Sequence, residues 1–404
     1  MKGKHSMQPG KIVVQNLYKV FGEHPQEAID LLKQGMSKEQ ILAEKGAVIG
    51  VSDVSFSVEE GEIFVLMGLS GSGKSTLIRL INRLIEPSAG DVFIDGQNVA
   101  KLPKDQLIDL RRRDMSMVFQ SFALMPSRTV LDNAAFGLEV AGKGRREREE
   151  RAMAVLRQVG LDTFADKFPH ELSGGMQQRV GLARALAVDP SMIIMDEAFS
   201  ALDPLKRREM QDILLELQRT HRRTIIFVSH DIEEAMRIGN RIGIMEGGRL
   251  VQVGTPQELI DNPVNDYVRN FFDTVDTSRY LTAGQLKADS VPLYVHNGKA
   301  PDAQQVCQDL QAQDKHYAFV IDEDNNFRGS ISLEKLALMV DGGQTCSLDE
   351  EVLKQIDPAP EDLPLNQVIE RLVDNEGPIP VIDGDGRYSG AISKGRLLSR
   401  LQGD

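Results

Sequence analysis

A glycine-rich segment contains the residues whose types and spacing predict chemistry most directly. It runs from Gly68 to Thr76 and reads GLSGSGKST. Glycines let the backbone wrap closely around phosphate oxygens, where a side chain would clash. Lys74 can reach the β- and γ-phosphates of a nucleoside triphosphate, and the hydroxyl of Ser75 can ligate Mg²⁺. We therefore predict a phosphate-binding loop with contacts from Gly68, Ser70, Gly71, Ser72, Gly73, Lys74, Ser75 and Thr76.

The segments on either side of this loop must position it. Residues 63–67 form an apolar run of strand length, and residues 77–84 have helical spacing. Strand, glycine-rich turn and helix is the context that a phosphate-binding loop requires. Backbone N–H groups and the positive end of the helix then face the anion. The alternative is an ordinary Gly/Ser-rich turn with one lysine, and the flanking pattern argues against it.

Two further apolar segments end in polar side chains. Residues 192–195 lead into Asp196 and Glu197, and residues 224–229 lead into His230. Buried parallel strands deliver their last residues to one edge of a sheet, where ligands bind. Either acid alone could cap a helix, but two acids opposite a phosphate loop favour roles with metal and water. A histidine at the same edge is better placed for catalysis than a lone histidine usually is.

Other positions complete the candidate site. Gln120 ends a strand-like run at 115–119, and residues 171–179 open a helical pattern. The segment 200–203 follows the two acids and precedes another helical pattern. Phe21 could stack on a nucleotide base or pack against its own strand, and the sequence leaves both open.

Together these segments resemble the ATP-binding subunits of ABC transporters. Six motifs of that family occur in order: Walker A at 68–76, the Q-loop at Gln120, the signature at 172–176 with Met176 in place of glutamine, Walker B at 192–197, the D-loop at 200–203 and the switch histidine at His230. The resemblance covers residues 11 to about 272. Within the family, the chain resembles the glycine betaine/proline betaine importer ATPases, on residues 17–25, 67–76, 82–87 and 195–204.

The resemblance implies an α/β fold with a P-loop NTPase core of the ABC ATPase type. A helical subdomain and an antiparallel β subdomain accompany that core. The expected bounds are 1–275 for this domain, about 25–45 for a helical insert and about 121–187 for the helical subdomain. Ser37 to Gln40, inside the insert, have the form of a capping box.

The resemblance also implies how the site works on ATP. Mg²⁺ is expected at Ser75, Gln120 and Asp196. Glu197 polarises the attacking water, and His230 bonds the γ-phosphate. Gln120 contacts both the metal and the transport partner. The catalytic set is therefore Glu197, His230 and Gln120.

ATP is expected between two copies of the domain, arranged head to tail. The second copy supplies Ser173 and Gly175 across the γ-phosphate. The expected nucleotide contacts outside the phosphate-binding loop are Phe21, Ser173, Gly174, Gly175, Gln178 and Asp203.

The predicted partners are a second copy, an integral membrane permease and, through the complex, a substrate-binding protein or domain. No stretch reaches the roughly 18 apolar residues of a membrane span, and Met1 to Ser6 precede no apolar signal region. We therefore expect a peripheral protein at the cytoplasmic face of the cell membrane. The net charge of −13 argues against a nucleic-acid partner, and Cys307 and Cys346 predict no disulfide framework.

The C-terminal part contains an internal repeat at an offset of 61 residues. Residues 320–324 match 381–385, and residues 327–332 match 388–393. Strand, acidic turn, strand and helix, found twice, resemble a tandem pair of CBS domains. The predicted bounds are a linker at 276–290 and CBS-like repeats at about 291–345 and 346–404.

The sequence leaves open which ligand, if any, this pair binds. CBS pairs commonly hold an adenine nucleotide with an Asp on the ribose, but Lys335 and Arg396 stand at those positions. A phosphate-rich regulatory nucleotide and a purely structural role both fit this departure. Lys394, Arg396 and Arg400 could meet anionic lipid, although a solvated helix face is the simpler interpretation in a region with 22 acidic and 12 basic residues. We predict that residues 276–404 regulate transport.

Other function classes fit less well. A chromosome-maintenance or DNA-repair ATPase needs a long heptad region between Lys74 and Leu172, and the sequence has none. A translation-type ABC factor carries two complete cassettes, and this chain has one. The resemblance therefore implies import of a quaternary-amine compatible solute. The nearest alternative is an importer of another small solute, such as an amino acid or a polyamine, because the solute never touches this subunit.

Overall fold

A computed structural model describes residues 10–272, 281–288, 291–296, 302–341 and 353–402. These residues fold into two compact units, which lie within Met1–Val275 and Asp276–Asp404. The predictions that concern residues 1–6, Cys346 and the linker positions 276–280 and 289–290 lie outside the described residues.

The first unit alternates between strands and helices. Its described strands are β1 (Ile12–Phe21), β2 (Val48–Val58), β3 (Ile63–Met67), β4 (Ala89–Ile94), β5 (Gln97–Asn98), β6 (Met115–Phe119), β7 (Met192–Asp196), β8 (Thr224–Val228), β9 (Arg241–Glu246) and β10 (Arg249–Gly254). Its described helices are α1 (Pro25–Lys33), α2 (Lys38–Lys45), α3 (Lys74–Ile81), α4 (Lys104–Asp114), α5 (Val130–Val140), α6 (Arg145–Gln158), α7 (Gly174–Ala187), α8 (Pro204–His221), α9 (Ile232–Ile238), α10 (Pro256–Asp261) and α11 (Asp266–Phe272). Short 3-10 segments lie at Val99–Lys101, Asp162–Phe164 and Pro169–Glu171.

A six-stranded sheet forms the centre of this unit, in the order β10-β9-β3-β8-β7-β6. Strands β9, β3, β8, β7 and β6 pair in parallel, and β10 pairs antiparallel with β9. Every residue of β3 and β8 is buried, as expected for parallel strands covered on both faces. The register places Leu66 beside Val228, and Asp196 beside both Val228 and Phe119. The segments that follow β3, β6, β7 and β8 therefore meet at one edge of the sheet.

The core of the first unit holds helix α3 against strand β3. Phe64 of β3 is fully buried and stacks on Phe56 of β2, with ring centroids 4.9 Å apart. Leu77 and Ile81 of α3 are fully buried in the same apolar cluster. Burying a side chain of this size contributes about 1.5–3 kcal/mol. The cluster therefore fixes both elements that flank the glycine-rich loop.

A second, antiparallel sheet in this unit has the order β2-β1-β4-β5. Helices α1 and α2 lie between β1 and β2, within the segment predicted as a helical insert. The Oγ of Ser37 accepts the N–H of Gln40 at 3.2 Å, and the N–H of Ser37 donates to Oε1 of Gln40 at 2.9 Å. The predicted capping box is therefore confirmed. Ile29 and Ile41 are fully buried and hold the two helices on the sheet.

The helices α5, α6 and α7 form a layer that follows β6 in the chain. Asn133 of α5 is fully buried and binds the segment that leads into this layer. Its Oδ1 accepts the N–H of Met125 at 2.8 Å, and its Nδ2 donates to the carbonyls of Met125 at 3.1 Å and Thr129 at 2.9 Å. An unsatisfied buried amide would cost about 1–3 kcal/mol. These bonds therefore fix the path of the chain shortly after Gln120.

The second unit contains two short sheets, with the orders β11-β12-β13 and β14-β15-β16. Its described strands are β11 (Leu293–His296), β12 (Tyr317–Asp322), β13 (Phe327–Ser332), β14 (Ala359–Pro360), β15 (Ile379–Ile382) and β16 (Tyr388–Ile392). Its described helices are α12 (Ala283–Leu286), α13 (Ala303–Ala312), α14 (Leu333–Asp341), α15 (Leu365–Asp374) and α16 (Lys394–Gln402). None of the helices in the described parts of either unit has the length and apolar character needed to cross a membrane.

The two hairpins of this unit have the same ladder at the offset of the sequence repeat. Val320 pairs with Gly329, and Val381 pairs with Gly390. In both hairpins the register shifts at the next residue of the first strand. The sequence repeat therefore corresponds to a repeated hairpin with its irregularity in the same place.

The prediction of an irregular linker is wrong for residues 281–288. Ala283–Leu286 form helix α12, and Leu281 and Leu286 are buried in one cluster with Leu365 of α15. The polar composition of the segment suggested a linker, but its few apolar side chains pack against α15, a helix far along the chain. Composition alone does not show which distant helix a segment packs against.

Candidate nucleotide site

The loop between β3 and α3 uses backbone conformations that favour glycine. Gly68 and Gly73 have φ values of 149° and 100°. A Cβ on Gly68 would lie 2.3 Å from the carbonyl oxygen of Met245, and one on Gly73 would lie 2.6 Å from that of Gly50. No side chain fits at either position unless the neighbouring backbone moves. The loop is thus wrapped against the ends of other strands, and α3 begins at Lys74 with its first N–H groups at the loop.

Lys74 closes this loop on itself. Its Nζ donates to the carbonyls of Gly68 at 2.7 Å and Leu69 at 3.1 Å. The residue is 6% exposed, and burial lowers the pKa of its ammonium group, against the opposing effect of the charges on Glu197 and Asp196. A phosphate would offer stronger, charge-assisted hydrogen bonds than two carbonyls do. Lys74 is therefore poised to exchange its carbonyl partners for an anion.

Ser75 and Asp196 form a donor set that fits a divalent cation. The Oγ of Ser75 lies 3.4 Å from Oδ1 of Asp196. Burial raises the pKa of Asp196, and the charge of Glu197 adds to this effect. Hard cations such as Mg²⁺ prefer hydroxyl and carboxylate oxygens, and a cation would favour the charged carboxylate. Among the described residues, no group of three or more His, Cys, Asp and Glu side chains could hold a metal ion.

Gln120 directly follows β6 with an exposed side chain. The last residue of β6, Phe119, pairs with Asp196. Gln120 therefore begins at the edge that carries the two acids, as the sequence predicts. Its side chain is accessible both to a ligand at that edge and to a partner protein.

Glu197 and His230 face each other at the same edge. The Nδ1 of His230 lies 3.4 Å from Oε2 of Glu197. Glu197 has a φ of 48°, and its N–H donates to the carbonyl of Val228 at 3.1 Å. A left-handed conformation at a residue other than glycine costs of order 1–3 kcal/mol. This turn takes the chain out of β7 immediately after Asp196 and separates the directions of the two acids.

Phe21 ends β1 with 42% of its surface exposed. A Cβ on Gly50 would lie 2.8 Å from Cε2 of Phe21 and 3.3 Å from Cγ2 of Thr76. The Nζ of Lys19 lies 5.1 Å from the ring centroid. The ring is therefore beside the first turn of α3 and keeps an exposed area on which a base could stack.

The signature segment lies at the start of α7. Ser173 caps this helix, because its Oγ accepts the N–H of Met176 at 3.4 Å. Ser173 and Gly174 are exposed, and Gly175 lies near the stem of Lys206. Within the described residues, no hydrogen bond or ion pair joins this segment to the glycine-rich loop. One chain alone therefore does not bring these two parts of the predicted site into contact.

The position of Gln178 contradicts its prediction as a nucleotide contact. Gln178 is fully buried, and neither Oε1 nor Nε2 has a hydrogen-bond partner. On the same helix face, Gly174 and Gly181 both lie close to Phe122, where an added Cβ would be 3.7 Å away. The amide is therefore inside the helical layer, beneath the segment that follows Gln120, where it cannot touch a nucleotide.

Asp203 caps helix α8 and remains exposed, since its Oδ1 accepts the N–H of Lys206 at 3.0 Å. One turn later, Arg207 pairs with Asp231, the residue after His230. Sequence reasoning did not select Arg207 or Asp231. The signals that could have found them are an acid directly after the histidine and a run of basic residues at 206–208, separated from the D-loop by two residues.

Two family models match the chain. The model described as ABC transporter matches residues 51–200, and the model described as CBS domain matches residues 351–403. The first match contains the glycine-rich loop and the acids Asp196 and Glu197. The second match falls on the second of the two predicted repeats.

Curated relatives match almost the whole chain. The glycine betaine/proline betaine transport system ATP-binding protein ProV of Escherichia coli (strain K12) is 50% identical over 391 residues, which cover 97% of this chain and 97% of that protein. The glycine betaine transport ATP-binding protein OpuAA of Bacillus subtilis (strain 168) is 43% identical over 396 residues, which cover 98% of this chain and 93% of that protein.

The solved structures include a similar cassette. The dimeric structure of MJ0796, a bacterial ABC transporter cassette, is 33% identical, has a TM-score of 0.51, and covers 60% of this chain and 98% of that chain. The fold class and the family predicted from the sequence are both confirmed. The chain belongs to the ATP-binding subunits of ABC transporters, in the family of the glycine betaine/proline betaine transport ATPases.

Proposed function

We propose that this chain hydrolyses ATP to energise the import of a quaternary-amine compatible solute, glycine betaine or proline betaine, through a separate membrane permease. The convergence of Lys74, Asp196, Glu197 and His230 at one sheet edge is the observation that supports the chemistry. The names of the full-length relatives support the solute. Import of an amino acid or a polyamine is the alternative.

The roles of the residues follow from what phosphoryl transfer needs. The reaction depends on positioning and charge neutralisation more than on covalent chemistry. Lys74 holds the β- and γ-phosphates, and Glu197 polarises the attacking water. His230, beside Glu197, bonds the γ-phosphate. Phe21 stacks on the base, next to the first turn of α3.

The donor set at the end of β7 supports a metal cofactor. Ser75 and Asp196 would hold Mg²⁺, and Gln120 would join them from the neighbouring strand end. When bound, the ion would supply neutralisation of charge on the β- and γ-phosphates. Gln120 in addition contacts the transport partner, because its side chain is exposed.

The active form is a head-to-tail dimer with ATP between the copies. Ser173, Gly174 and Gly175 of the second copy complete the site, with Asp203 nearby. Two observations support this arrangement. The signature segment forms no bond with the glycine-rich loop of its own chain, and the similar cassette MJ0796 is a dimer.

We assign the permease contact to a cleft beside the first residues of β6, 115–117. The cleft has a volume of about 450 Å³ and lies between α4, β6, α5 and α7, with Phe136, Val140 and Arg184 in its walls. Val140 is 45% exposed, so the cleft offers apolar surface to a partner. The chain thereby sits peripherally at the cytoplasmic face of the cell membrane, and a substrate-binding protein or domain joins through the permease.

The second unit regulates the transporter. Its two CBS-like repeats, at about 291–345 and 346–404, share the ladder described above. A cavity of about 290 Å³ is lined by residues of both repeats; its wall contains Lys315, His316 and Lys394, and also the acids Asp314 and Glu376. We assign it to an anionic ligand, a regulatory nucleotide or the headgroup of an anionic lipid. Deleting residues 277–404 is expected to preserve ATPase activity in the assembled transporter but to change its salt dependence.

The solute assignment is tested with the assembled transporter. The chain is purified with its permease and substrate-binding protein, and ATP turnover is measured with glycine betaine, proline betaine, an amino acid or a polyamine. We expect only the betaines to stimulate turnover, and the Glu197→Gln variant supplies the background. Stimulation by the amino acid or the polyamine alone would show that the alternative is correct.

A further inference from the structure

The two residues beside His230 are held by hydrogen bonds from neighbouring helices. Ser229 donates its hydroxyl to Oε2 of Glu234 at 2.6 Å and accepts the N–H of Asp231 at 2.9 Å. Asp231 caps α9, with its Oδ1 accepting the N–H of Glu234 at 3.2 Å. The side chain of His230 itself is 58% exposed. Its direction is therefore set through the backbone on both sides and not by packing of its ring.

Arg207 of α8 joins this arrangement to the D-loop. Its Nη1 lies 2.5 Å from Oδ2 of Asp231, and its Nη2 donates to the carbonyl of Leu202 at 3.4 Å. Leu202 belongs to the segment Ser200–Asp203 that precedes α8. One rigid guanidinium thus bonds both the D-loop backbone and the residue that follows His230.

The Nε of Arg207 is buried and has no hydrogen-bond partner. Native structures contain few such groups, and each one asks for an explanation. An arginine that served only to stabilise the surface of α8 would leave this donor in water. Its position is better explained by the two partners that its other nitrogens must reach.

A second set of hydrogen bonds, between α8 and α9, holds Glu234, the partner of Ser229. Glu234 is 4% exposed, and its Oε1 accepts Nε2 of Gln211 at 3.3 Å. The Oε1 of Gln211 accepts Nη1 of Arg237 at 2.8 Å. Satisfied buried networks of this kind are rigid. Helices α8 and α9 therefore move together with the residues that flank His230.

We propose that Arg207 is a positioning residue that couples the D-loop to His230. The proposal rests on the dimeric ATPase function proposed above, in which Asp203 lies at the interface between two copies. Closure of the dimer displaces Ser200–Asp203, and the guanidinium of Arg207 transmits this displacement to Asp231. His230 then reaches the γ-phosphate only when the second copy is in place. Arg207 touches neither nucleotide nor metal in this scheme.

Substitution of Arg207 in the assembled transporter tests the proposal. We expect Arg207→Met to lower kcat about tenfold and to leave the Kd for ATP within about twofold, because the lost interaction acts only in the closed state. Arg207→Lys keeps the positive charge but loses the planar guanidinium that bonds Asp231 and Leu202 at once, so an intermediate kcat is expected. Asp231→Asn is a second variant that keeps the helix cap and weakens the pairing with Arg207. A wild-type kcat in both Arg207→Met and Asp231→Asn would overturn the proposal.

Arg241→Met is the matched control. Arg241 is 30% exposed, compared with 24% for Arg207, and pairs with Glu62 at 2.7 Å at the opposite edge of the central sheet. Its loss is expected to lower the Tm and to leave kcat unchanged at temperatures well below unfolding. An equal fall in kcat for both variants would mean that loss of an ion pair alone explains the effect, and the positioning role would be wrong.

The dependence on His230 separates positioning from general stabilisation. In a His230→Ala background, we expect Arg207→Met to lower the single-turnover rate by less than about twofold, since interacting residues are non-additive. A full additional loss in that background would overturn the coupling to His230. The two proposals fail separately: wild-type turnover in Glu197→Gln contradicts the ATPase mechanism. An inactive Glu197→Gln, with a wild-type kcat in both Arg207→Met and Asp231→Asn, contradicts only the coupling.

Discussion

Acidic side chains stand at the end of a strand in both units, but their surroundings differ. In the first unit Asp196 and Glu197 come at the end of β7. In the second unit Asp322 ends β12, and Asp383 follows β15 at the repeat offset. A sequence pattern of apolar residues followed by acids is common to all three places.

The hydrogen bonds of these acids distinguish them. The Oδ1 of Asp322 accepts the N–H groups of Asp324 at 3.0 Å and Asn326 at 2.7 Å. The Oδ1 of Asp383 accepts the N–H groups two and four residues ahead, both at 2.9 Å. These carboxylates are occupied by their own turns and shape the two hairpins.

The acids of the first unit keep their capacity for other partners. Asp196 has one long contact, 3.4 Å to Ser75, and burial beside Glu197 raises its pKa. Hydrogen bonds from Asn326, in contrast, hold the pKa of Asp322 below its usual value. An acid that its own turn satisfies is structural, whereas a buried acid without such bonds is available to a cation or a water molecule.

The largest expected effect comes from removing one acid of the first unit. Glu197→Gln is expected to lower ATP turnover of the assembled transporter at least about hundredfold, because loss of a general base typically costs that much. ATP binding should persist, as measured by calorimetry. Glu216→Gln, at a position with a 72% exposed side chain on α8, is the control. Turnover near wild type in Glu197→Gln would contradict the assigned role.

The next largest effect is expected from removing the positively charged side chain of Lys74. Lys74→Ala is expected to weaken ATP binding about 10- to 100-fold, because a hydrogen bond to a charged group contributes about 1.5–3 kcal/mol. Isothermal titration calorimetry measures the change directly. Lys45→Ala removes a 45% exposed lysine of α2 and should bind ATP normally. Equal affinities for the two variants would rule out the glycine-rich loop as the phosphate site.

A partial recovery of ATP turnover, smaller in size than the two losses above, is expected when two inactive variants are mixed. Ser173→Ala and Lys74→Ala leave one intact site in a mixed dimer, so equal amounts should restore about a quarter of wild-type turnover if the dimer is symmetric. Turnover is measured after subunit exchange has been verified by labelling. The composite site is wrong if exchange is complete and no activity returns.

The smallest effect concerns the acidic turns of the second unit. Asp322→Ala is expected to lower the Tm by a few degrees, while Asp322→Asn keeps the acceptor and loses less. The pKa of Asp322 is lowered in the folded protein. The stabilisation is therefore present above the unfolded value of about 3.9 and is lost as the pH falls through the folded value. Thermal unfolding curves from neutral to acidic pH measure both effects, and equal Tm values for Ala and wild type at neutral pH would refute the structural role.

Local patterns in the sequence were sufficient to predict much of the fold and of the site. The glycine-rich loop, the acids at the end of β7 and the capping box at Ser37 are specified by residues only a few positions apart. The repeat offset likewise predicts the matching ladders of the two hairpins. Short-range hydrogen bonds and continuous apolar runs depend on neighbours in the chain, so they can be read from the order of residues alone.

Other features depend on how distant elements pack. Gln178 follows the signature motif, yet its amide is fully buried and has no hydrogen-bond partner. Residues 281–288 have the composition of a linker, yet they complete a core with α15. Arg207 lies in a run of charged residues, and only the approach of α8 to the start of α9 pairs it with Asp231. Burial and partner choice at these sites are set by contacts between segments far apart in the chain, and for these the tertiary structure was decisive.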